Sequence, residues 1–251
     1  MSNNFKIVIE YDGKGYFGWQ IQKNQITIQS ELEKALSTIL NQKIKIQGSG
    51  RTDAGVHAYA QVANFIADTK LPCKSIKNGV NSIIKGPIII KKCDIIHKNF
   101  HARHDAISKE YHYHILNRED GWAIKKDYVL HIKKKLELEP MQECCKIIMG
   151  KHDFKSFEGS GSPKFTTIRE IFTACFFIDP NDISKENIIF KISANGFLKY
   201  MVRNIIGTII LAGLLKIDTN EFKNILKARN RTAAGPTAPA QGLFLMDVKY
   251  P

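Results

Sequence analysis

The amino-acid sequence predicts an α+β fold in which mainly antiparallel sheets are covered by helices and the chain forms two related halves. Some segments alternate apolar and polar residues at the period of a strand, whereas others repeat apolar residues at the period of a helix. Several predicted strands also follow one another directly, which favours α+β over a doubly wound parallel sheet. With 251 residues, of which 43% are hydrophobic, the chain can bury a substantial core.

The first half, residues 1–105, is predicted to begin with a strand in which Phe5, Ile7 and Ile9 share one face. Thr27 is placed to cap a following helix. The remaining elements are a second strand starting at Ile44 and Ile46, a central strand over residues 59–67 that is apolar apart from Gln61 and Asn64, a short helix near residues 73–84, and a strand over residues 87–96.

A polar, histidine-bearing connection at residues 97–108 leads into the second half, residues 106–251. Its first strand, residues 110–116, places Tyr111 and Tyr113 on one face and His112 and His114 on the other. The further elements are a helix over residues 141–149, strands over residues 171–178 and 188–194, a long helix from Phe197, a short helix from Asn220, and a final strand over residues 243–250.

The charge of the chain indicates an anionic partner. Lys and Arg number 37 against 24 Asp and Glu, a formal net charge of +13, and nucleic acid comes first among such partners. The alternative is a generally lysine-rich surface, so the lysine runs at residues 91–92, 125–126 and 133–135 are read either as phosphate contacts or as solvated edges. Charge therefore needs support from motifs.

Several function classes are excluded by missing patterns. The five cysteines form an odd set without a CxxC pair, which argues against a disulfide framework or a zinc site and fits a reducing cytoplasm. No signal peptide is recognisable, and the longest apolar stretch, residues 200–215, falls short of the roughly 20 residues of a membrane helix and contains Arg203. Neither a GxGxxG nor a GxxxxGK[ST] motif supports nucleotide binding.

The loop GSGRTDAGVHA, which links two predicted strands, carries the candidate catalytic carboxylate, Asp53. Gly48, Gly50 and Gly55 permit tight backbone around it, and loops between strands often hold catalytic groups. The alternative is an ordinary turn in which Asp53 caps local N–H groups and Arg51 is solvated.

Arg203 is the single charge within an apolar helix and is predicted to be buried. A buried guanidinium needs a carboxylate partner, and Asp53 is the candidate. A pair with another acid such as Asp105, or an Arg203 that reaches the surface, is the alternative. Paired with arginine, Asp53 would stay ionised, as a nucleophile must.

Aromatic and histidine clusters complete the candidate residues. Tyr111, Tyr113, Phe17, Trp19 and Tyr59 could stack on an extruded base, or could simply form core. The five histidines His97, His101, His104, His112 and His114 are rejected as a metal site because no acidic or cysteine ligand completes a recognisable spacing; His112 and His114 are expected to be surface groups that contact phosphate.

Taken in order, five motifs resemble the tRNA pseudouridine(38-40) synthase family. They are IEYDGKGYFGWQIQ, GRTDAGVHA, FHARHDAISKEYHYHI, FLKYMVRNIIGT and APAQGLFL. The resemblance implies the pseudouridine synthase fold, with its two halves flanking a central active-site cleft. It also implies an isomerase that breaks the N1–C1′ bond of a uridine in the tRNA anticodon stem-loop, rotates the base and rejoins it through C5, without a cofactor or metal.

The resemblance also implies roles for single residues. Asp53 resembles the nucleophile, attacking uracil C6 or ribose C1′, and Arg51 the residue that helps to displace the base. Tyr111 resembles the residue that stacks on the flipped uracil and helps to remove the C5 proton, and Arg203 the salt-bridge partner of Asp53. The substrate-binding residues implied are Tyr111, Arg51, His57, Arg103 and Leu243.

The expected assembly is a cytoplasmic homodimer, not bound to a membrane, in which one tRNA lies across both subunits and contacts them through its anticodon arm and elbow. Asp53 and Arg203 should then lie within hydrogen-bonding reach, with Tyr111 facing the same cavity. Two rivals are a non-catalytic RNA-binding protein on the same fold and another nucleic-acid enzyme, such as a nuclease or methyltransferase. The latter would need clustered metal-binding carboxylates or a glycine-rich cofactor loop.

Overall fold

Mainly antiparallel strands with helices packed against them make up the computed structural model, which confirms the predicted α+β class and describes residues 2–159, 161 and 166–251. In chain order the elements are β1 (Asn3–Tyr11), α1 (Ile28–Leu40), β2 (Gln47–Gly48), β3 (His57–Ala67), α2 (Cys73–Ile83), β4 (Ile88–Ile96), β5 (Ser108–Asn117), β6 (Leu130–Ile132), α3 (Leu138–Ile148), β7 (Gly150–Asp153), β8 (Ile168–Ile178), β9 (Asn187–Ala194), α4 (Met201–Gly213), α5 (Thr219–Ala228) and β10 (Leu243–Lys249).

The chain divides into two units. The first comprises Met1–Ile107 together with Phe244–Pro251, and the second comprises Ser108–Leu243. The sequence predicted a division between residues 105 and 106 without a return of the C-terminal segment. In the structure, the C-terminal segment belongs to the first unit, whereas the sequence placed it in the second half.

In the first unit, β1 lies between β3 and β4 and is antiparallel to both. The short β2 pairs antiparallel with β3, and β10 lies parallel to β3, with Phe244 opposite His57. Helix α2 packs against β4 and against α1. Because β3 has partners on both sides, it is the central strand that its apolar sequence predicted.

Helix α1 begins where the sequence predicted. The Thr27 hydroxyl accepts a hydrogen bond from the Ser30 N–H (3.2 Å), and the Ser30 hydroxyl accepts one from the Thr27 N–H (3.1 Å). This reciprocal cap stabilises the helix start by about 1 kcal/mol. The predicted apolar face is confirmed, since Ile28, Leu32 and Leu36 have no exposed surface.

The predicted start of the second strand at Ile44 was wrong. Both Ile44 and Ile46 are buried, but β2 is confined to Gln47–Gly48. The Ile44 N–H donates to the Ser37 hydroxyl (3.0 Å) and the Ile46 N–H to the Glu33 carboxylate (2.9 Å). Since side chains of α1 satisfy these N–H groups, the segment does not need a sheet partner.

In the second unit, β9 lies between β5 and β8, and β7 pairs with the far edge of β8, all antiparallel. The short β6 lies parallel to β5. Helix α3 packs on β8 and on α4. Among the described residues, no helix combines the length and the apolar character that crossing a bilayer requires.

Helix α4 begins at Met201, four positions later than the predicted start at Phe197. The residue before it, Tyr200, has φ 60° and ψ 3°, in the left-handed region. A residue in that conformation cannot continue a right-handed helix toward the N-terminus. The strained residue therefore sets the start of the helix that carries Arg203.

Candidate active site

Asp53 opens a tight turn between β2 and β3. The Val56 N–H donates to the Asp53 carbonyl (3.2 Å), and Gly55 has φ 77°, the positive value that a type II turn needs at its third position. Thr52 and Val56 are buried, whereas Asp53 is half-buried. The backbone of the turn is thus anchored on both sides of a residue that is itself not fully enclosed.

The glycine-rich segment after β1 clamps this turn through its backbone. The Trp19 N–H donates to the Thr52 carbonyl (3.1 Å). A Cβ atom on Gly18, which has φ 84°, would lie 2.6 Å from the Thr52 oxygen, and one on Gly13 would lie 2.1 Å from the Val56 oxygen. The close approach at both ends of the turn therefore requires glycine.

Hydrogen bonds among buried polar side chains hold the start of the same loop. The Gln61 side chain accepts from the Ser49 hydroxyl (2.6 Å) and donates to the Gly50 carbonyl (3.0 Å). The hydroxyls of Tyr11 and Thr52 share a hydrogen bond of 2.7 Å, and burial raises the pKa of Tyr11, so this phenol stays protonated. The loop around Asp53 is therefore preorganised by satisfied polar groups.

The two other candidate residues of this segment have different surroundings. Arg51 is exposed, and its Nε donates to the Gln20 side chain (3.2 Å). His57 is only 2% exposed: its Nδ1 lies 3.1 Å from the Gly13 N–H and 2.9 Å from a carboxylate oxygen of Asp12. The ring also stacks on Phe244 at 4.6 Å between centroids. These contacts fix the turn, and a contact of His57 with substrate stays a prediction.

Arg103 is exposed on a turn that a buried amide network anchors. The Asn64 side chain accepts from the Ala102 N–H (2.9 Å) and donates to the Asn4 side chain (3.1 Å). The Tyr250 hydroxyl donates to the Ala102 carbonyl (2.6 Å). Asn64, like Gln61 on the same strand, thus positions a loop that carries a candidate residue, here Arg103.

The histidines do not assemble a metal site within the described residues, where no group of three or more potential ligands occurs. His112 is partly buried rather than a free surface group: its ring lies 3.1 Å from the Glu110 carboxylate, which also pairs with Lys191 (2.9 Å), and a contact with phosphate stays a prediction. Burial lowers the pKa of His112, with Glu110 opposing. The ring is therefore mainly neutral at pH 7 and carries little charge toward a phosphate.

Of the predicted aromatic residues, Tyr113 and Trp19 are core. Tyr113 has no exposed surface, and its hydroxyl donates to the Pro239 carbonyl (2.8 Å). Tyr111 is 7% exposed and meets Phe197 edge to face, with ring centroids 5.2 Å apart. Leu243 is buried at the start of β10, so its contact with substrate also stays a prediction.

Arg203 lies in the first turn of α4 and is half-buried rather than buried, which corrects the prediction from its apolar neighbours. Its Nε donates to the Ala238 carbonyl (2.8 Å), and the Ala238 N–H donates to the Arg203 carbonyl (3.0 Å). Its guanidinium carbon lies 4.9 Å from the centre of the Tyr200 ring. The choice of Asp53 or Asp105 as carboxylate partner stays a prediction.

A second arginine, which sequence reasoning missed, holds the segment that carries Ala238. Arg231 donates to the Gly235 carbonyl (3.0 Å) and to the side chains of Thr237 and Asn204 (3.1 Å each). Asn204 in turn donates to the Phe157 carbonyl (2.8 Å) and is fully buried. The asparagine after Arg203 in the MVRN motif was the available signal for this network.

Replacing Gly207 with alanine is expected to destabilise this arrangement. A Cβ atom at this position of α4 would lie 1.8 Å from the Pro236 carbonyl oxygen, a backbone atom that cannot move without its segment. We expect a loss of about 1–3 kcal/mol in the free energy of unfolding, as for other overpacked sites. Urea denaturation followed by circular dichroism measures it.

The matched control is Gly121→Ala, since a Cβ atom there has nothing within 4 Å. This variant should unfold within about 0.5 kcal/mol of the parent protein. Equal urea midpoints for Gly207→Ala and Gly121→Ala would show that the segment does not press on α4 as described.

Comparisons with known proteins bear on what this arrangement does. A family model described as tRNA pseudouridine synthase matches residues 7–105 and 144–251. The chain is 42% identical over 247 residues to a tRNA pseudouridine synthase A of Thermoanaerobacter sp. (strain X514), covering 98% of this chain and 99% of that protein. It is 39% identical over 245 residues to the protein of that name from Ruminiclostridium cellulolyticum, covering 98% of each. It is 40% identical over 247 residues to tRNA pseudouridine synthase A 2 of Clostridium perfringens, covering 98% of this chain and 99% of that protein.

A solved structure, a Cbf5-Nop10-Gar1 complex, contains a chain that is 11% identical, with a TM-score of 0.37 over 96% of this chain and 57% of that chain. A likeness this distant assigns no residue and no role.

Proposed function

This chain belongs to the tRNA pseudouridine synthase family, and on that premise we propose that it isomerises uridines of the tRNA anticodon stem-loop, with Asp53 as the nucleophile. The observation that carries the catalytic assignment is the Asp53 turn. Its backbone is held by Trp19 and packed closely on Gly18 and Gly13, whereas Asp53 as a residue is half-buried. A carboxylate on a fixed backbone that is not fully enclosed suits nucleophilic catalysis, because misplacement by about 1 Å costs much of the rate.

The reaction rearranges bonds within one nucleotide. The carboxylate of Asp53 attacks uracil C6 or ribose C1′, and the N1–C1′ bond breaks. The base rotates, C5 bonds to C1′, and the bond between Asp53 and the nucleotide breaks, which regenerates the carboxylate. The C5 proton leaves while N1 gains a proton. Arg51 helps to displace the base, and Tyr111 stacks on the extruded uracil and assists removal of the C5 proton. Arg203 keeps the Asp53 carboxylate ionised through a salt bridge.

The partner of the reaction is tRNA, held through its phosphates by part of the +13 net charge. Exposed Arg103 on its anchored turn supports such a contact, and His57 and Leu243 complete the proposed binding set. A cytoplasmic homodimer, with one tRNA contacting both subunits through its anticodon arm and elbow, is part of the same proposal.

The reaction can be followed through the C5 proton. Purified protein incubated with a tRNA transcript labelled with tritium at uracil C5 is expected to release tritium into water, in EDTA and without added cofactor. A nuclease would cut the transcript and a methyltransferase would need a methyl donor. No release, or release only after a metal or cofactor is added, would contradict the proposal.

A further inference from the structure

Tyr200 has an unusual backbone conformation for an aromatic residue. Its φ of 60° lies in the left-handed region, which bulky side chains adopt rarely and asparagine or glycine adopt readily. The conformation directs the chain into α4, where the Asn204 N–H donates to the Tyr200 carbonyl (2.8 Å). A strained conformation persists only where surrounding contacts compensate for it, so the contacts of the Tyr200 side chain indicate its role.

The ring of Tyr200 covers the guanidinium of Arg203, with 4.9 Å between the ring centre and the guanidinium carbon. The Lys199 ammonium also lies 5.1 Å from the same ring centre. Since the Arg203 Nε is held by the Ala238 carbonyl (2.8 Å), the head group of Arg203 has one edge fixed by a hydrogen bond and one face fixed by an aromatic ring.

Gly159 makes room for the ring. A Cβ atom at this position would lie 2.4 Å from Cδ2 and 3.1 Å from Cγ of Tyr200. The Gly159 N–H donates to the Lys199 carbonyl (2.8 Å), so its backbone is held beside the ring and cannot easily withdraw. The ring therefore packs closely on Gly159 on one side and lies over the guanidinium of Arg203.

We propose that Tyr200 is a positioning residue that holds the guanidinium of Arg203 in the orientation required for the reaction. This inference rests on the role proposed above for Arg203 as the partner of Asp53. A long, flexible arginine side chain loses rotamer freedom when it is fixed, and a ring that fixes it beforehand removes that cost from the reaction step. Loosening it would allow the Asp53 carboxylate to become protonated at higher pH.

The discriminating variant is Tyr200→Asn, which removes the ring but tolerates the left-handed conformation. We expect kcat for tritium release to fall by about tenfold, as for loss of a partly desolvated cation–π contact, with KM for tRNA unchanged. The acid limb of the kcat–pH profile should move to higher pH. The urea midpoint should stay at or above that of the parent protein, and Tyr200→Phe, which keeps the ring, should retain parent kcat.

Gly159→Ala tests the same contact from the other side. Its methyl group should displace the ring and reproduce the loss of kcat, whereas the double variant Gly159→Ala/Tyr200→Asn should be no worse than Tyr200→Asn, since asparagine leaves no ring to displace. Additive losses would mean that Gly159 acts elsewhere and would overturn the inference.

The inference would also be overturned if Tyr200→Asn had the kcat of the parent protein and an unshifted acid limb. An equal loss of kcat in Tyr200→Phe, or a lower urea midpoint in Tyr200→Asn, would overturn it as well. The variants Arg203→Lys and Asp53→Asn test the proposed function independently of Tyr200. If those variants keep full activity, the assigned roles of Arg203 and Asp53 are wrong whatever Tyr200 does.

Discussion

Asp53→Asn is expected to abolish pseudouridine formation while leaving tRNA binding intact. Asparagine has nearly the same shape as aspartate, so the turn that Val56 and Gly55 close can form, but a neutral amide cannot act as the nucleophile. The expected loss in kcat is on the order of 10⁴-fold or more, as for other catalytic nucleophiles. Single-turnover tritium release measures the loss, and filter binding with labelled transcript measures the dissociation constant.

The control is Asp68→Asn, the same chemical change at an exposed residue after β3. It should retain parent kcat. A slow but clearly catalytic Asp53→Asn protein, or a loss of tRNA binding equal to the loss of product, would show that the turn carries the RNA and not the chemistry.

Arg203→Lys is expected to give the second-largest loss. Lysine keeps the positive charge but has neither the Nε–H that donates to the Ala238 carbonyl (2.8 Å) nor a flat face to lie on Tyr200. If Arg203 is the partner of Asp53, disrupting the pair should lower kcat on the order of 100-fold. The decrease should be greatest at low pH, since the carboxylate is then protonated more easily, and a kcat–pH profile tests this.

Arg229→Lys provides the matched control. Arg229 belongs to the same unit, is exposed and pairs with Asp153 (3.1 Å), so its conversion to lysine should leave kcat unchanged. Equal effects of the two variants would assign the loss to general positive charge rather than to the geometry of Arg203.

Local sequence pattern was sufficient for most of the fold, because the strands and helices bury one face against a sheet. The alternation of Phe5, Ile7 and Ile9 and the Thr27 cap led to β1 and α1 directly. The strand at Ile44 failed because Ser37 and Glu33, on the preceding helix, satisfy its backbone donors. Such side-chain competition depends on how the helix packs and leaves no periodic signal.

The residues of the candidate site could be predicted from the sequence, but the contacts that hold them in place could not. Asp53 and Arg203 stood out because a carboxylate in a glycine loop and a lone charge in an apolar helix are visible in the sequence. The carbonyl that orients Arg203 belongs to Ala238, 35 positions away, and alanine carries no chemical signal. The left-handed conformation of Tyr200 is equally hidden, since sequence rules expect glycine or asparagine there.

Gln61 and Asn64 fall between these cases. Both were recognisable in the sequence as polar residues in an otherwise apolar strand. Their roles depend on distant partners, because Gln61 binds the Gly50 carbonyl and Asn64 binds the Ala102 N–H. A buried amide must find hydrogen bonds, so such an exception predicts a loop held from within the core without saying which loop.

Isomerisation of anticodon-arm uridines by Asp53 can be tested by mapping pseudouridine in an unmodified tRNA transcript after incubation with the protein, by base-specific chemical labelling and reverse transcription. The parent protein is expected to give stops at uridines of the anticodon stem-loop, and the Asp53→Asn protein none. An absence of stops at every uridine of the anticodon arm would show that the protein does not modify this site, and the same stops with both proteins would show that Asp53 is not the nucleophile.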